Sequence, residues 1–252
     1  MNRDGWQGQP EIKREKQEEI SLQWDSMENE LHRDAFWGFL TNKKQHNYQT
    51  RMDLLLELLA KRSRIIKPRF TVEAIHVRMA NVKYETSTEY LESFCTSLGV
   101  KLHVVTTSFD ETIPTHKPKC FLCSWHRRKQ MFNLAQQLGC NKIALGHHND
   151  DIIHTALMNT IFQGHFSTMP VVLHMRKMPI TIIRPLCYCE EKDIREYAIE
   201  AGYQKQVKLC PYETDSHRTT IRNLYAQIEQ MAPEARYSIW NALEAEGKLV
   251  EN

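Results

Sequence analysis

The chain has 252 residues, 41% of them hydrophobic and 25% charged, with a formal net charge of +2. That length supports one sizeable core, or one core with a small appendage. So balanced a charge singles out neither nucleic acid nor a membrane surface as partner, which leaves any such contact to local patches. No apolar run is long enough to cross a bilayer, and the opening MNRDGWQGQPEIKREKQEEI has no apolar segment of signal-peptide type, so the expectation is a cytoplasmic protein. In a reducing compartment the seven cysteines are poor candidates for structural disulfides. Metal ligands, reactive thiols and buried thiols remain.

Residues 1–20 are charged and lack apolar periodicity, which predicts a disordered or frayed start. Over 21–40, Leu22, Trp24, Met27, Leu31, Phe36 and Phe39 fall at loosely helical intervals. The polar, basic TNKKQHNYQTR follows, and then Leu54–Ala60 (LLLELLA) predicts a buried helix ending in the basic KRSR. TVEAIHV (71–77) and KLHVVTT (101–107) predict strands, with a helix between them that stops at Gly99. SFDETIPTHKPK is a polar loop with two prolines. Next come a helix ending at Gly139, the strand NKIALGH (141–147) and a helix over NDDIIHTALMNTIFQG ending at Gly164. TIIRPL (181–186) predicts a further strand, and EEKDIREYAIEAG a helix stopped by Gly202. The tail is helical and amphipathic, broken at Pro233.

Strands alternating with helices predict an α/β chain with a doubly wound, mostly parallel sheet. Ligands of such sheets bind beyond the carboxyl ends of the strands. The expected division is an N-terminal helical or disordered segment at 1–50, an α/β domain at 51–205, and at 206–252 a cysteine-bearing loop followed by amphipathic helices.

Two segments carry chemistry. Cys120 and Cys123 (CFLC) close the proline-containing loop and open a helix whose first turns hold His126, Arg127 and Arg128. A helix N-terminus and neighbouring cations favour thiolate, and two thiolates at this spacing grip a metal from one side. Zinc, an iron–sulfur cluster and a redox dithiol are the functional readings, against a pair of buried thiols. Spacing alone does not choose a further ligand among Cys95, Cys140, Cys187, Cys189 and Cys210. The second segment, Leu145–Asp151 (LGHHNDD), falls at a strand-to-helix turn. Gly146 permits close backbone approach. Asp150 and Asp151 either cap the helix or hold Mg²⁺ beside a phosphate.

CFLCSWHRR, LGCNKIALGHHNDDIIHTALMN, FSTMP, IIRPLCYCEEKDI and KLCPYE, in that order from about Leu54 to Trp240, resemble the PP-loop ATP-pyrophosphatase superfamily. Within it the match is to the iron–sulfur-dependent tRNA 2-thiocytidine synthetase group. The resemblance implies a Rossmann-like, adenine nucleotide alpha-hydrolase-like sheet. It implies ATP-dependent adenylation of a tRNA base carbonyl, replacement of the activated oxygen by sulfur, and a [4Fe–4S] cluster held by three cysteines. Carried over motif by motif, those cysteines are Cys120, Cys123 and Cys210, with Cys187 and Cys189 as non-ligands. The turn after His76 and Val77 would flank the adenosine together with Gly146 and His147. Asp150 and Asp151 would lie near the phosphates and Mg²⁺, and Arg127 and Arg128 would contact substrate or phosphate. Implied partners are tRNA, touched through the basic stretches KRSRIIKPR and HRRK, and a sulfur donor such as a cysteine desulfurase; a homodimer is left open.

The sequence departs from the family at one place. The signature SGGxDS should precede the first helix, where its backbone N–H groups cradle pyrophosphate. Without gaps it falls on Asn47–Met52, or on Gln49–Leu54 if Asp53 is matched to its Asp, and no glycine stands between Gly38 and Gly99. Three readings compete: loss of ATP chemistry, phosphate held instead by Arg51, Lys43 and Lys44, or a first 50 residues foreign to the gene. The non-catalytic alternative keeps fold and cluster as an RNA-binding or redox-sensing module, and a zinc-stabilised binding protein is a third possibility.

Overall fold

A computed structural model describes residues 37–39, 48–80, 83–84, 88–110, 119–204, 208–209 and 217–251, all within one compact unit. Its strands are β1 (Trp37–Phe39), β2 (Glu73–Met79), β3 (Lys83–Tyr84), β4 (Lys101–Thr107), β5 (Lys142–Ala144), β6 (Val172–His174), β7 (Thr181–Ile183), β8 (Lys208–Leu209) and β9 (Val250–Glu251). Its helices are α1 (Tyr48–Ile65), α2 (Thr88–Ser97), α3 (Lys119–Gln137), α4 (Asn149–Gln163), α5 (Glu191–Glu200), α6 (His217–Met231) and α7 (Ala235–Ala245).

One group of hydrogen-bonded strands runs β1-β2-β4, all parallel, and another runs β5-β7-β6-β9. In the second group β6 is antiparallel to β7, while β5–β7 and β6–β9 are parallel. β1 packs beside β5. The chain therefore builds outward from β1 through β2 to β4, then returns to the other side of β1 with β5 and β7. That reversal is the switch point of a doubly wound sheet, and the crevice it opens lies at the carboxyl ends of β1 and β5. α1 starts beyond the first of these strands and α4 beyond the second.

The burial pattern follows strand position. β2, between two neighbours, buries Ala74, Ile75, His76 and Val77 in succession, as a strand covered on both faces must. β4, at the edge among the described strands, is exposed or half-buried along its length until Thr107. The core joins Ile75 and Val77 of β2 to Met131 and Ala135 of α3 and to Ile143 and Leu145 of the β5 segment. α1 buries Leu54, Leu55, Leu56, Leu59 and Ala60, so the helix expected at LLLELLA sits deep in the molecule. Gly99 and Gly164 end α2 and α4 in the left-handed conformation, at φ +65 and +68.

Three expectations change. Trp37–Phe39, at the end of the stretch with loosely helical spacing, is a strand paired in parallel with Ala74–His76. β2 extends to Met79, so His76 and Val77 lie inside the strand and the carboxyl edge begins at Met79. The strands expected over 141–147 and 181–186 are only three residues long, Lys142–Ala144 and Thr181–Ile183. Of the expected N-terminal segment 1–50, residues 1–36 and 40–47 lie outside the described residues, as do the loop 111–118 and Cys210.

A Cβ built on Gly146 would stand 2.6 Å from Met52 Sδ and 3.7 Å from the Arg51 carbonyl oxygen. The absent side chain thus admits α1, where the sequence suggested admission of a ligand. Because Met52 is itself buried, Gly146→Ala should destabilise the protein by about 1–3 kcal/mol through overpacking. Urea unfolding will measure this, and Gly146→Ala should cost less when made in a Met52→Ala background than in the wild type.

Candidate functional site

The sheet's carboxyl edge gathers four segments: the start of α1, the first turn of α3, the β5–α4 turn and the β7–α5 connection. Each holds part of what the sequence singled out.

Cys120 and Cys123 are three residues apart in the first turn of α3 and so share one face. Cys123 is buried against Met79 at the end of β2 and Phe109 beyond β4, whereas Cys120 is partly exposed. This is a soft, thiol-bearing face at the sheet edge with access from one side, and it suits a metal or an iron–sulfur cluster. Among the described residues no group of three metal-ligating side chains assembles, and Cys210 lies outside them. Cys187 and Cys189 fit ligand duty poorly. Burial pushes both thiols up, Cys189 to about 11, with Asp193 adding to the effect there. Their loop serves packing instead, since the Cys189 carbonyl accepts the Asn149 N–H at 2.9 Å. Cys95 is another buried thiol, raised to about 12 by burial and by nearby Asp53.

Arg127 and Arg128 part company. Arg127 is fully buried, close enough to His76 to repel a proton there, while Arg128 is exposed. Of the pair only Arg128 meets solvent. His76 is lowered to about 4, first by burial and then by Arg127 and Arg78. His147 is lowered to about 3 by burial, against the opposite pull of Asp151 and with Arg184 and Arg51 adding to the lowering. Both rings are neutral at pH 7, and His147 Nδ1 accepts from Arg184 Nε at 3.3 Å.

The two aspartates are each taken by an arginine. Arg51 Nη1 donates to Asp151 Oδ2 at 2.6 Å, with side chains 1% and 6% exposed. The His148 N–H also donates to Asp151, at 3.3 Å. Burial alone would raise the Asp151 pKa, but Arg51, with His148 and His147, holds it well below the usual range. Asp150 accepts from Arg236 Nη2 at 3.0 Å and from the Glu191 N–H at 2.8 Å, with His148 Nδ1 3.3 Å away. Arg236 also donates to Asn149 Oδ1 at 2.7 Å, so it fastens α7 to the first turn of α4. Asp53, two residues beyond Arg51 and therefore on another side of α1, accepts instead from Tyr90 at 3.0 Å. In the placement ending at Met52 the Asp of the signature falls on Arg51, the residue that faces Asp151, so a cation stands where the signature has an acid.

Mg²⁺ does not fit this arrangement. It binds through carboxylate oxygens with water and phosphate around it, and here both carboxylates are already compensated by guanidinium groups. Arg51, considered as a phosphate ligand, is committed to Asp151, and its proposed companions Lys43 and Lys44 lie outside the described residues. Sequence reasoning missed Arg184 and Arg236. Arg184 stands inside IIRPLCYCEEKDI but drew no role there, and Arg236 acts from a tail helix 86 residues away from Asp150.

The model of the PP-loop domain matches residues 52–224. The chain belongs to the PP-loop family. Its match begins at Met52, inside α1, immediately after Arg51. A tRNA-cytidine(32) 2-sulfurtransferase of Pelobacter propionicus is 34% identical over 197 residues, covering 75% of this chain and 71% of that protein. One from Pseudomonas syringae pv. tomato is 32% identical over 195 residues, covering 75% and 70%. Among solved structures, the U34-tRNA thiolase NcsA from Methanococcus maripaludis, with its [4Fe-4S] cluster, is similar at a TM-score of 0.67. It is 21% identical, covering 85% of this chain and 71% of that one, a likeness of fold. This PP-loop chain has the family's Rossmann-like α/β sheet, and among its described residues no helix is long and apolar enough to cross a membrane.

The neutral His76 sets a pH dependence. Below its ordinary value of 6.5 the unfolded chain takes up a proton that the folded chain refuses until about pH 4. Stability is therefore undiminished above 6.5 and falls as pH drops toward 4. From pH 7 to pH 5 the expected loss from His76 is roughly 2 kcal/mol. Urea unfolding at both pH values should show it in the wild type, with a correspondingly smaller difference in His76→Asn.

Proposed function

We propose that this PP-loop protein is an ATP-dependent tRNA-thiolating enzyme of the 2-thiocytidine type that uses a three-cysteine [4Fe–4S] cluster. The observation that carries the proposal is the placement of Cys120 and Cys123 on one face of α3 at the sheet's carboxyl edge. Cys210 would be the third ligand. A cluster held by three thiolates supplies an iron that can take up sulfur. The similarity to tRNA-cytidine(32) 2-sulfurtransferases supports the substrate class.

In the reaction the base carbonyl oxygen attacks the α-phosphorus of ATP and pyrophosphate leaves. Sulfur then adds at the activated carbon and AMP departs with the former carbonyl oxygen. The chain's own part is binding and positioning. Arg128, exposed one residue beyond buried Arg127, suits the tRNA backbone or the substrate phosphate. His147, neutral and oriented by Arg184, presents an uncharged ring beside the nucleotide crevice. No step is assigned to Mg²⁺. The reading carries with it a sulfur donor such as a cysteine desulfurase and a cytoplasmic setting.

A second reading draws on a specific observation, the absence of a glycine cradle combined with the Arg51–Asp151 pair. In it the chain keeps the cluster and binds RNA without turning over ATP. The experiment is an anaerobic preparation assayed for iron, sulfide and zinc, and for pyrophosphate release and 2-thiocytidine formed in tRNA. Cys123→Ala and Cys210→Ala should lose iron and sulfide, and Cys187→Ala should keep both. Thiolation with pyrophosphate release supports the enzyme. A cluster without either product supports the second reading, and zinc without iron or sulfide defeats both.

A further inference from the structure

The crevice at the switch point is bridged by a side-chain pair drawn from its two walls. Arg51 comes from the first turn of α1, beyond β1, and Asp151 from the first turn of α4, beyond β5. Their contact is 2.6 Å long and almost closed to water. Asp150 is matched in the same way by Arg236. The acidic charge that would draw a divalent cation to this turn is thus cancelled locally, one guanidinium for each carboxylate.

We infer that Arg51 is the resident cation of this crevice: its guanidinium takes the place at Asp151 of a divalent metal, and phosphate-bearing ligands bind here without Mg²⁺. A metal ion reaching Asp151 Oδ2 must either evict the guanidinium or sit beside it. Eviction strands a buried cation, and the second arrangement sets two cations side by side where little water screens them. Gly146 reinforces the arrangement, because it lets the Arg51–Met52 backbone press against the β5–α4 turn and leaves Arg51 little room to withdraw. An arginine is suited to the task, since it stays charged and presents a planar set of donors that matches a carboxylate.

The nucleotide part of the test rests on the enzymatic reading above, and the metal part does not. Full-length protein prepared anaerobically is titrated with Mn²⁺, and free Mn²⁺ is read by electron paramagnetic resonance. Wild type and Asp151→Asn should leave the same free Mn²⁺. Arg51→Ala should take up about one more ion per chain, and adding Asp151→Asn to it should abolish the gain. Should Arg51→Ala fail to fold, Arg51→Lys, which keeps a cation, should match the wild type. ATP affinity, measured by calorimetry with Mg²⁺ and again with excess EDTA, should agree within about threefold. Mn²⁺ bound by the wild type and lost in Asp151→Asn overturns the inference. So does ATP affinity at least about tenfold weaker in EDTA. Absence of ATP binding in both buffers, with tRNA present, defeats the enzymatic reading, while the Mn²⁺ comparison still decides the identity of the cation.

Discussion

Arg51 and Asp151 stand 100 residues apart in the chain, and their contact bridges the crevice between the two halves of the sheet. Much of the site is arranged around it. The pair requires α1 to press against the β5–α4 turn, which requires glycine at 146. It requires the first turn of α4 to present Asp151 inward, a position steadied by the His148 N–H. Asp150, the next residue back, then turns toward α5 and α7, where Glu191 and Arg236 hold it. A buried ion pair is not in itself a large gain in stability, because desolvating both partners offsets their attraction. Its force lies in what happens when one partner goes, since the other remains charged and buried.

Electrostatically the carboxyl edge is divided. On the α4 side Asp150 and Asp151 are each matched by an arginine, and His147 is kept neutral chiefly by burial. On the α3 side, partly exposed Cys120 and the exposed cations Arg128 and Lys129 reach solvent, without a single acidic residue in the helix. Thiolate ligation and anionic partners both suit the second side. The first side is a finished, self-compensated structure, and it is there that this chain parts from the metal-assisted nucleotide site implied by its resemblance.

Much of this architecture is legible in the residues. β2, β4, α1 and α4 announce themselves by apolar content, by periodicity and by the glycines that end two of the helices. β1 does not, because three residues carry no period of their own and Phe36 and Phe39 fall in with the loosely helical spacing of the stretch before them. The two- and three-residue strands β3, β6, β8 and β9 are invisible for the same reason. In the site, CFLC and LGHHNDD were readable as motifs, since spacing alone puts their side chains on one face or one turn. Which side chain meets which was not. That Arg51 answers Asp151, and Arg236 answers Asp150, depends on helices brought together by the sheet, and no local pattern encodes it.

Arg51 and Asp151 form one buried unit. A double-mutant cycle with Arg51→Ala, Asp151→Asn and both together, read by urea unfolding at pH 7, tests it most directly. Each single change should cost about 3–5 kcal/mol, and the double change far less than the sum, giving a coupling of roughly 2–3 kcal/mol. Costs that add to within about 0.5 kcal/mol would mean that the two residues do not depend on one another, and would contradict the account.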